Sequence, residues 1–411
     1  MGQGRTLVLS HTAQEGGAEL ALVRLVRRLR ERGDDVHVLL FAHGPLEDAL
    51  AVAGVPTTVR LASARMATAS RGQLSDVRHV FSLLTAAADF IVRLRSAIRE
   101  SGADLVVANS LKSAALAVVA APISGRAWVW NLHDRLTSDY LPRGLLILMR
   151  TIAVLGPRKI IVNSRSTLET IPRWARRRAV IAYPGIADDA FVTMLPDSPR
   201  VVGIVGRVSP TKGQHIFVEA AIRVAQTHPD VAYRVIGTAL FGEQNYEAAV
   251  RERARESAVA DRMEFTGWVR DVPAQIGRLS ILVHASPMPE PFGQVVVEAI
   301  AASVPVIATE SGGVVEILDA GSVTTAEPDV GWRFTDLGVL VRPDNAAALA
   351  SAIVAVLDDP KATIRRAQRA RADVSDRYAI SHTADVVSQA WSEARRQRPS
   401  QRTRSKHEVA N

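Results

Sequence analysis

The sequence predicts an α/β fold built of two doubly wound domains that face a central cleft, and three observations carry that prediction. Short β-branched runs alternate with longer amphipathic runs along the whole chain, the pattern of parallel strands joined by crossover helices. The alternation halts at a polar, proline-bearing passage ending at Pro196–Pro199, then restarts. The length, 411 residues, suffices for two domains that each bury their own core. Residues 1–197 are therefore read as the first domain and 198–362 as the second. Helices follow over 363–398, and residues 399–411 read as a disordered basic tail without apolar periodicity.

In the first half, strands are predicted at Thr6–Ser10, Val36–Leu40, Thr57–Leu61, Leu105–Ala108, Ala127–Trp130, Ile160–Asn163 and Ala179–Tyr183. Helices are predicted at Ala18–Arg32, Gln73–Glu100 and Leu111–Ala121. The apolar stretch Leu141–Leu155 is interrupted by Pro142, Arg143, Gly144 and Arg150. It falls short of the roughly 20 residues that span a bilayer and reads as a buried or interfacial helix.

The second half predicts strands at Val201–Gly206, Tyr233–Gly237, Met263–Thr266, Ile281–Ala285, Val304–Ala308 and Gly338–Val341. Helices are predicted at Gln214–Thr227, Gln244–Ala258, Asp271–Arg278 and Gln294–Ala302. A last long helix, about Ile364–Arg396, should break near Tyr378. In such folds ligands bind outside the carboxyl ends of the strands, so the two sheets should present those ends to one cleft.

Composition excludes several classes. The chain has no cysteine, which removes disulfides and thiolate metal sites. No Asp-x-Asp, H-x-x-x-H or G-x-S-x-G sequence occurs, so neither a metal site nor a serine-hydrolase elbow is expected. The apolar run Leu7–Leu9 is too short for a signal-peptide core, and a cytoplasmic protein is expected. Residues 1–197 carry 25 Lys and Arg against 17 acids, whereas residues 198–390 carry 19 against 23. That asymmetry suggests that the first half meets an anionic surface, such as the inner face of the cell membrane, or an anionic acceptor. A merely solvated arginine-rich surface is the alternative. Nucleic acid is disfavoured, because only 5% of residues are aromatic and they do not interleave with the basic ones.

The most informative segment is PMPEPFGQVVVE, residues 287–298. Glu290 lies in a loop pinned by Pro289, Pro291 and Gly293, and Glu298 follows in the first turns of a helix. Carboxylates in this arrangement can accept paired hydrogen bonds from vicinal hydroxyls, beside the free N–H groups of a helix start. Alone, such a pair also suits a solvated helix face. A second constellation follows the strand Val201–Gly206, where Arg207 and Lys212 flank a turn into a helix. Two cations there form an anion site, Arg binding phosphate bidentately and Lys as a compact charge. In the first domain, Gly16 and Gly17 open a helix without the dinucleotide-binding spacing, and let backbone approach a ligand. His133 follows the strand Ala127–Trp130 at its cleft end. His284 reads as a satisfied core or strand-end histidine, and His11 as a weak candidate.

The Glu-x7-Glu spacing, the small-residue helix after it, a strand and the Gly312–Gly313 turn resemble the donor site of retaining glycosyltransferases of family 4. The resemblance extends over nearly the whole chain. It implies the GT-B fold of two Rossmann-like domains and transfer of a hexosyl group from a nucleoside-diphosphate sugar, UDP- or GDP-linked, to a hydroxyl. A glycan or lipid-linked acceptor in envelope, capsule or exopolysaccharide assembly is implied with it. Arg207 and Lys212 would hold the donor's pyrophosphate, Glu298 the ribose hydroxyls, and Glu290 and His133 the hexose. Gly16, Gly17, Val269, Phe292, Gly293 and Gln294 would complete the donor site, Val269 beside the base. Gly312 and Gly313 would let the chain pass close to sugar or phosphate, with Glu316 after them. No cofactor and no metal ion are implied. The passage GSVTTAEPDVGWRFTD, residues 321–336, departs from the resemblance as an insertion. Two rivals remain. A sugar-nucleotide epimerase on the same fold would need a further acid/base set, and a non-enzymatic nucleotide-sugar-binding protein would forgo the sugar contacts.

Overall fold

The computed structural model of the protein describes residues 4–62, 77–191, 200–240, 242–319 and 330–396, with side chains left aside at 77–86 and at 189. The expected basic tail and residues 321–329 of the expected insertion lie outside these, as does the proline passage 196–199.

Seven parallel strands form the first sheet in the order β3-β2-β1-β4-β5-β6-β7. They are β1 (Thr6–Ser10), β2 (Val36–Leu40), β3 (Thr57–Val59), β4 (Leu105–Ala108), β5 (Ala127–Leu132), β6 (Lys159–Val162) and β7 (Ala179–Ile181). The helices are α1 (Gly17–Glu31), α2 (Pro45–Val52), α3 (Val77–Glu100), α4 (Leu111–Ile123), α5 (Arg143–Leu155), α6 (Arg165–Leu168) and α7 (Arg173–Arg176). Alternation along β1 decides which helices cover which face. Leu7 and Leu9 pack with residues of α3, α4 and α5, whereas Val8 points into the cluster formed by α1, α2 and the chain's last helix.

The second sheet runs β10-β9-β8-β11-β12-β14-β13. Its strands are β8 (Val201–Val205), β9 (Ala232–Ile236), β10 (Met263–Gly267), β11 (Ile281–His284), β12 (Val306–Thr309), β13 (Trp332–Phe334) and β14 (Val339–Val341). All pairings are parallel except β13 with β14. Thus Trp332–Phe334, read from sequence as part of an insertion, is an antiparallel edge strand. Its helices are α8 (Gln214–Val224), α9 (Gln244–Arg255), α10 (Val272–Gly277), α11 (Gln294–Ala301), α12 (Val314–Leu318) and α13 (Ala346–Asp358).

Two helices close the described chain, α14 (Pro360–Arg377) and α15 (Ile380–Arg396), separated at Tyr378 and Ala379. The α14 residues Ala370 and Val374 pack with the second domain. The α15 residues Val387, Ala390 and Trp391 instead bury against the first sheet, so the chain crosses back. Between the domains, the rings of Tyr183, Phe292 and Tyr378 pack in tilted and edge-to-face contacts at centroid distances of 5.1–5.9 Å. Among the described residues no helix is long and apolar enough to cross a membrane.

Candidate active site

The loop from β8 into α8 meets the loop from β11 into α11 at the carboxyl edge of the second sheet. Gly213 makes the meeting geometrically tight. Its φ is +74°, and a Cβ there would stand 2.0 Å from the Ala285 carbonyl oxygen. The backbone approach delivers Lys212 to Glu290, with Nζ 2.5 Å from Oε1. Ser286 Oγ donates to the same oxygen.

The Glu290 side chain is 13% exposed, and its partial burial works to raise its carboxyl. The Lys212 ammonium and His284 outweigh that burial and hold the group well below the usual carboxylate range. His284, expected to be a satisfied core or strand-end histidine, is indeed buried at the end of β11 but is not satisfied. The ring is 5% exposed, and neither nitrogen has a hydrogen-bond partner. Nε2 lies 3.2 Å from Glu290 Oε1 as a charge contact, out of line for a hydrogen bond. The end of β11 was the available signal, because a histidine there must face the cleft edge.

Glu298 sits at the start of the second turn of α11, and burial raises its carboxyl against the opposing pull of Arg24 and Gln294. Arg24 comes from α1 of the first domain, with Nη1 3.4 Å from Glu298 Oε1. Arg207 is exposed on the loop after β8, and its carbonyl accepts a hydrogen bond from Gln214 Nε2. Gly293 caps α11 at φ +106°, and Gln294 begins the helix. Phe292 is buried in the interdomain aromatic cluster, and its backbone packs against Gly313, where a Cβ would lie 2.6 Å from the Phe292 Cα. Val269 lies just beyond β10, half-buried against the core.

In the first domain, Gly16 caps α1 and Gly17 begins it. A Cβ on Gly17 would meet nothing within 4 Å, so packing does not require glycine there. His133 follows β5, and its Nε2 donates to Asn109 Oδ1 at 3.0 Å. Asn131 Nδ2 reaches the same oxygen at 3.3 Å. Burial lowers the His133 ring to about 4, so it is neutral at pH 7. His11, beyond β1, is lowered to about 4 by burial and by Lys112. Asn109 escaped sequence reading, although its place at the end of the strand beside His133's own was the usable clue.

Gly312 and Gly313 have a different reason from the expected one. A Cβ on Gly312 would lie 2.2 Å from the Glu290 carbonyl oxygen, and one on Gly313 2.5 Å from that of Pro291. They let the chain pass close to the Glu290 loop itself. Glu316, on α12, also does more than follow them. Its carboxylate accepts from Arg165 N at 2.9 Å, Ser166 N at 2.7 Å and Tyr183 Oη at 3.0 Å, all in the first domain. Among the described residues no group of three His, Cys, Asp or Glu could hold a metal ion.

Comparison with known proteins accounts for this layout. The family profile described as Glycosyltransferase Family 4 matches residues 15–190, and the one described as Glycosyl transferases group 1 matches residues 186–373. The two lie in tandem over both domains. The chain belongs to glycosyltransferase family 4. The crystal structure of Anabaena HepE in complex with UDP and glucose superposes on this family 4 protein with a TM-score of 0.77 at 26% identity, covering 95% of this chain and all of that one. Sucrose-phosphate synthase from Thermosynechococcus elongatus, 19% identical with a TM-score of 0.73, covers 95% of this chain and 99% of its own and shares the GT-B fold. By sequence, the lipopolysaccharide core biosynthesis mannosyltransferase LpsB of Rhizobium meliloti is 29% identical over 47% of this chain and 51% of its own length. The D-inositol 3-phosphate glycosyltransferase of Nocardia farcinica is 29% identical over 56% and 48%. The chain thus spans about half the length of these curated relatives.

Proposed function

We propose that this protein moves a hexosyl group from a nucleoside-diphosphate sugar to a hydroxyl of a glycan or lipid-linked acceptor, with retention of configuration and without a metal ion. The observation that carries the reading is the Lys212–Glu290 pair, held at 2.5 Å beside the helix that bears Glu298. It sets a cation and two carboxylates at the strand ends where a nucleotide sugar would need them. Support also comes from HepE, solved with UDP-glucose, and from LpsB, named for lipopolysaccharide core biosynthesis. A role in envelope, capsule or exopolysaccharide assembly, on the cytoplasmic side where donors are made, extends the same reading.

In this proposal Arg207, Lys212 and the Gly16–Gly17 backbone receive the diphosphate, Gly293 and Gln294 the α11 end of the donor, and Val269 borders the base. The bond between the anomeric carbon and the β-phosphate oxygen breaks while the acceptor oxygen bonds to the same face of that carbon. The departing phosphate oxygen takes the acceptor's proton, so no side-chain base is needed. Arg207 and Lys212 neutralise the growing negative charge, a contribution of roughly 3–4 kcal/mol for a well-placed donor. Glu290 and His133 orient the sugar. A neutral His133 that donates through Nε2 keeps Nδ1 as an acceptor for a sugar hydroxyl.

A thermal-shift series with UDP, GDP, ADP and their sugars tests this directly. A ligand at a hundred times its Kd stabilises the folded state by about 2.7 kcal/mol, so one nucleotide class should raise the melting temperature well above the others. No response to any nucleoside diphosphate would defeat the proposal.

A further inference from the structure

Helix α5 buries Leu146, Met149, Ile152 and Ala153 on the first domain, yet its outer face is not polar. Ile147 is 66% exposed and Leu155 75%, with Leu148 between them also exposed. Positions 147, 148, 151 and 155 fall on one side of a helix. Helix α7 packs against α5 and presents Trp174, 75% exposed, while α4 on the other flank exposes Val119 and Ile123. Among the described residues, six of the fourteen large exposed hydrophobics lie on these three neighbouring helices, so they form a patch rather than a scatter.

The charge around the patch has one sign. Residues 141–178 hold nine Lys and Arg and a single acid, Glu169. None of Arg143, Arg150, Arg173, Arg176 or Arg177 has a carboxylate partner among the described residues. A protein partner of mixed charge would leave most of these cations unmatched, and a nucleic acid would find one aromatic ring to stack upon. Aliphatic side chains and one tryptophan, ringed by arginines, match a surface that is apolar beneath and anionic above.

We propose that this face docks on a bilayer carrying anionic phospholipid headgroups. Ile147, Leu148, Leu155 and Trp174 enter the boundary of the acyl region, and Arg143, Arg150, Arg173 and Arg177 lie among the headgroups. Apolar insertion and a basic patch supply the two signals that stable but reversible attachment needs. Helix α5 starts ten residues after His133 at the carboxyl edge of the first sheet and runs back towards its amino edge, where Leu155 ends it just before β6. The inference stands on the surface alone and does not require the transferase reading.

Flotation of the full chain with phosphatidylcholine vesicles, with and without phosphatidylglycerol, tests it. Binding is expected only with phosphatidylglycerol and should weaken as salt rises. Arg173→Gln with Arg177→Gln should lower the bound fraction on the order of tenfold or more. Ile147→Glu with Leu148→Glu should abolish binding. Unchanged melting temperatures and nucleotide responses in both variants would show that folding and the site are intact. Equal binding to pure phosphatidylcholine, variants that float like the wild type, or no flotation together with self-association lost in Ile147→Glu would each overturn the proposal, the last by assigning the face to a second copy.

Discussion

Arg24 Nη1 on α1 stands 3.4 Å from Glu298 Oε1 on α11, joining the two domains across the cleft. Arg24 Nε also donates to the Gly185 carbonyl, which fixes the side chain against the interdomain passage. The arginine therefore engages the carboxylate proposed to bind ribose. A nucleotide must share or displace it, and a partly exposed ion pair is worth up to about 1 kcal/mol. Arg24→Ala should tighten nucleoside-diphosphate binding by up to about fivefold in isothermal titration. Weakened binding would make Arg24 a donor contact instead.

Low pH should destabilise the protein through two partly buried histidines. His133 and His11 are each depressed from 6.5 to about 4, mainly by burial. Between those values the unfolded chain binds protons that the folded chain refuses, so stability falls as pH drops from about 6.5 towards 4. Each group contributes up to about 3 kcal/mol to that loss. Urea midpoints across this range should fall steeply in the wild type and less steeply in His133→Asn. Parallel profiles would show that His133 is not the group involved.

Glu316 fastens the domains by accepting two backbone N–H groups at the start of α6 and the Tyr183 hydroxyl. Its carboxylate also raises the Tyr183 phenol, which burial first pushes up, to about 12. Removing the acceptor strands partly buried donors at a cost of about 1–3 kcal/mol. Glu316→Ala should lower the melting temperature and enlarge the radius of gyration in solution scattering. Identical scattering and melting would show that the clasp does not hold the cleft.

Gly213→Ala should be among the most damaging small substitutions. It places a Cβ against a backbone oxygen and a non-glycine residue at φ +74°, for a loss of at least about 1–3 kcal/mol. Guanidinium unfolding measures it. A change below about 0.5 kcal/mol would mean that the loop from β8 can shift away from Ala285 without penalty.

The strands were largely legible because buried parallel strands are short β-branched runs, as in Leu105–Ala108 and Ile281–His284. The short helices α6, α7 and α12 were not, since four or five residues carry too little periodicity to register. Edge strand β13 was hidden in a polar passage, and only its pairing with β14 makes it a strand. Lys212, Glu290 and Glu298 were readable from spacing next to helix starts. His284 and Glu316 were legible by position but not by role, and Arg24 and Asn109 by neither, because each acquires its role from a partner distant in sequence, such as Arg24 from Glu298.

The central claim is that Lys212 and Glu298 hold a nucleotide sugar for transfer, and the most direct measurement is release of nucleoside diphosphate coupled to acceptor glycosylation. Lys212→Ala and Glu298→Ala should each reduce that turnover by about 100-fold or more while the proteins stay folded. Wild-type turnover in both variants would contradict the account.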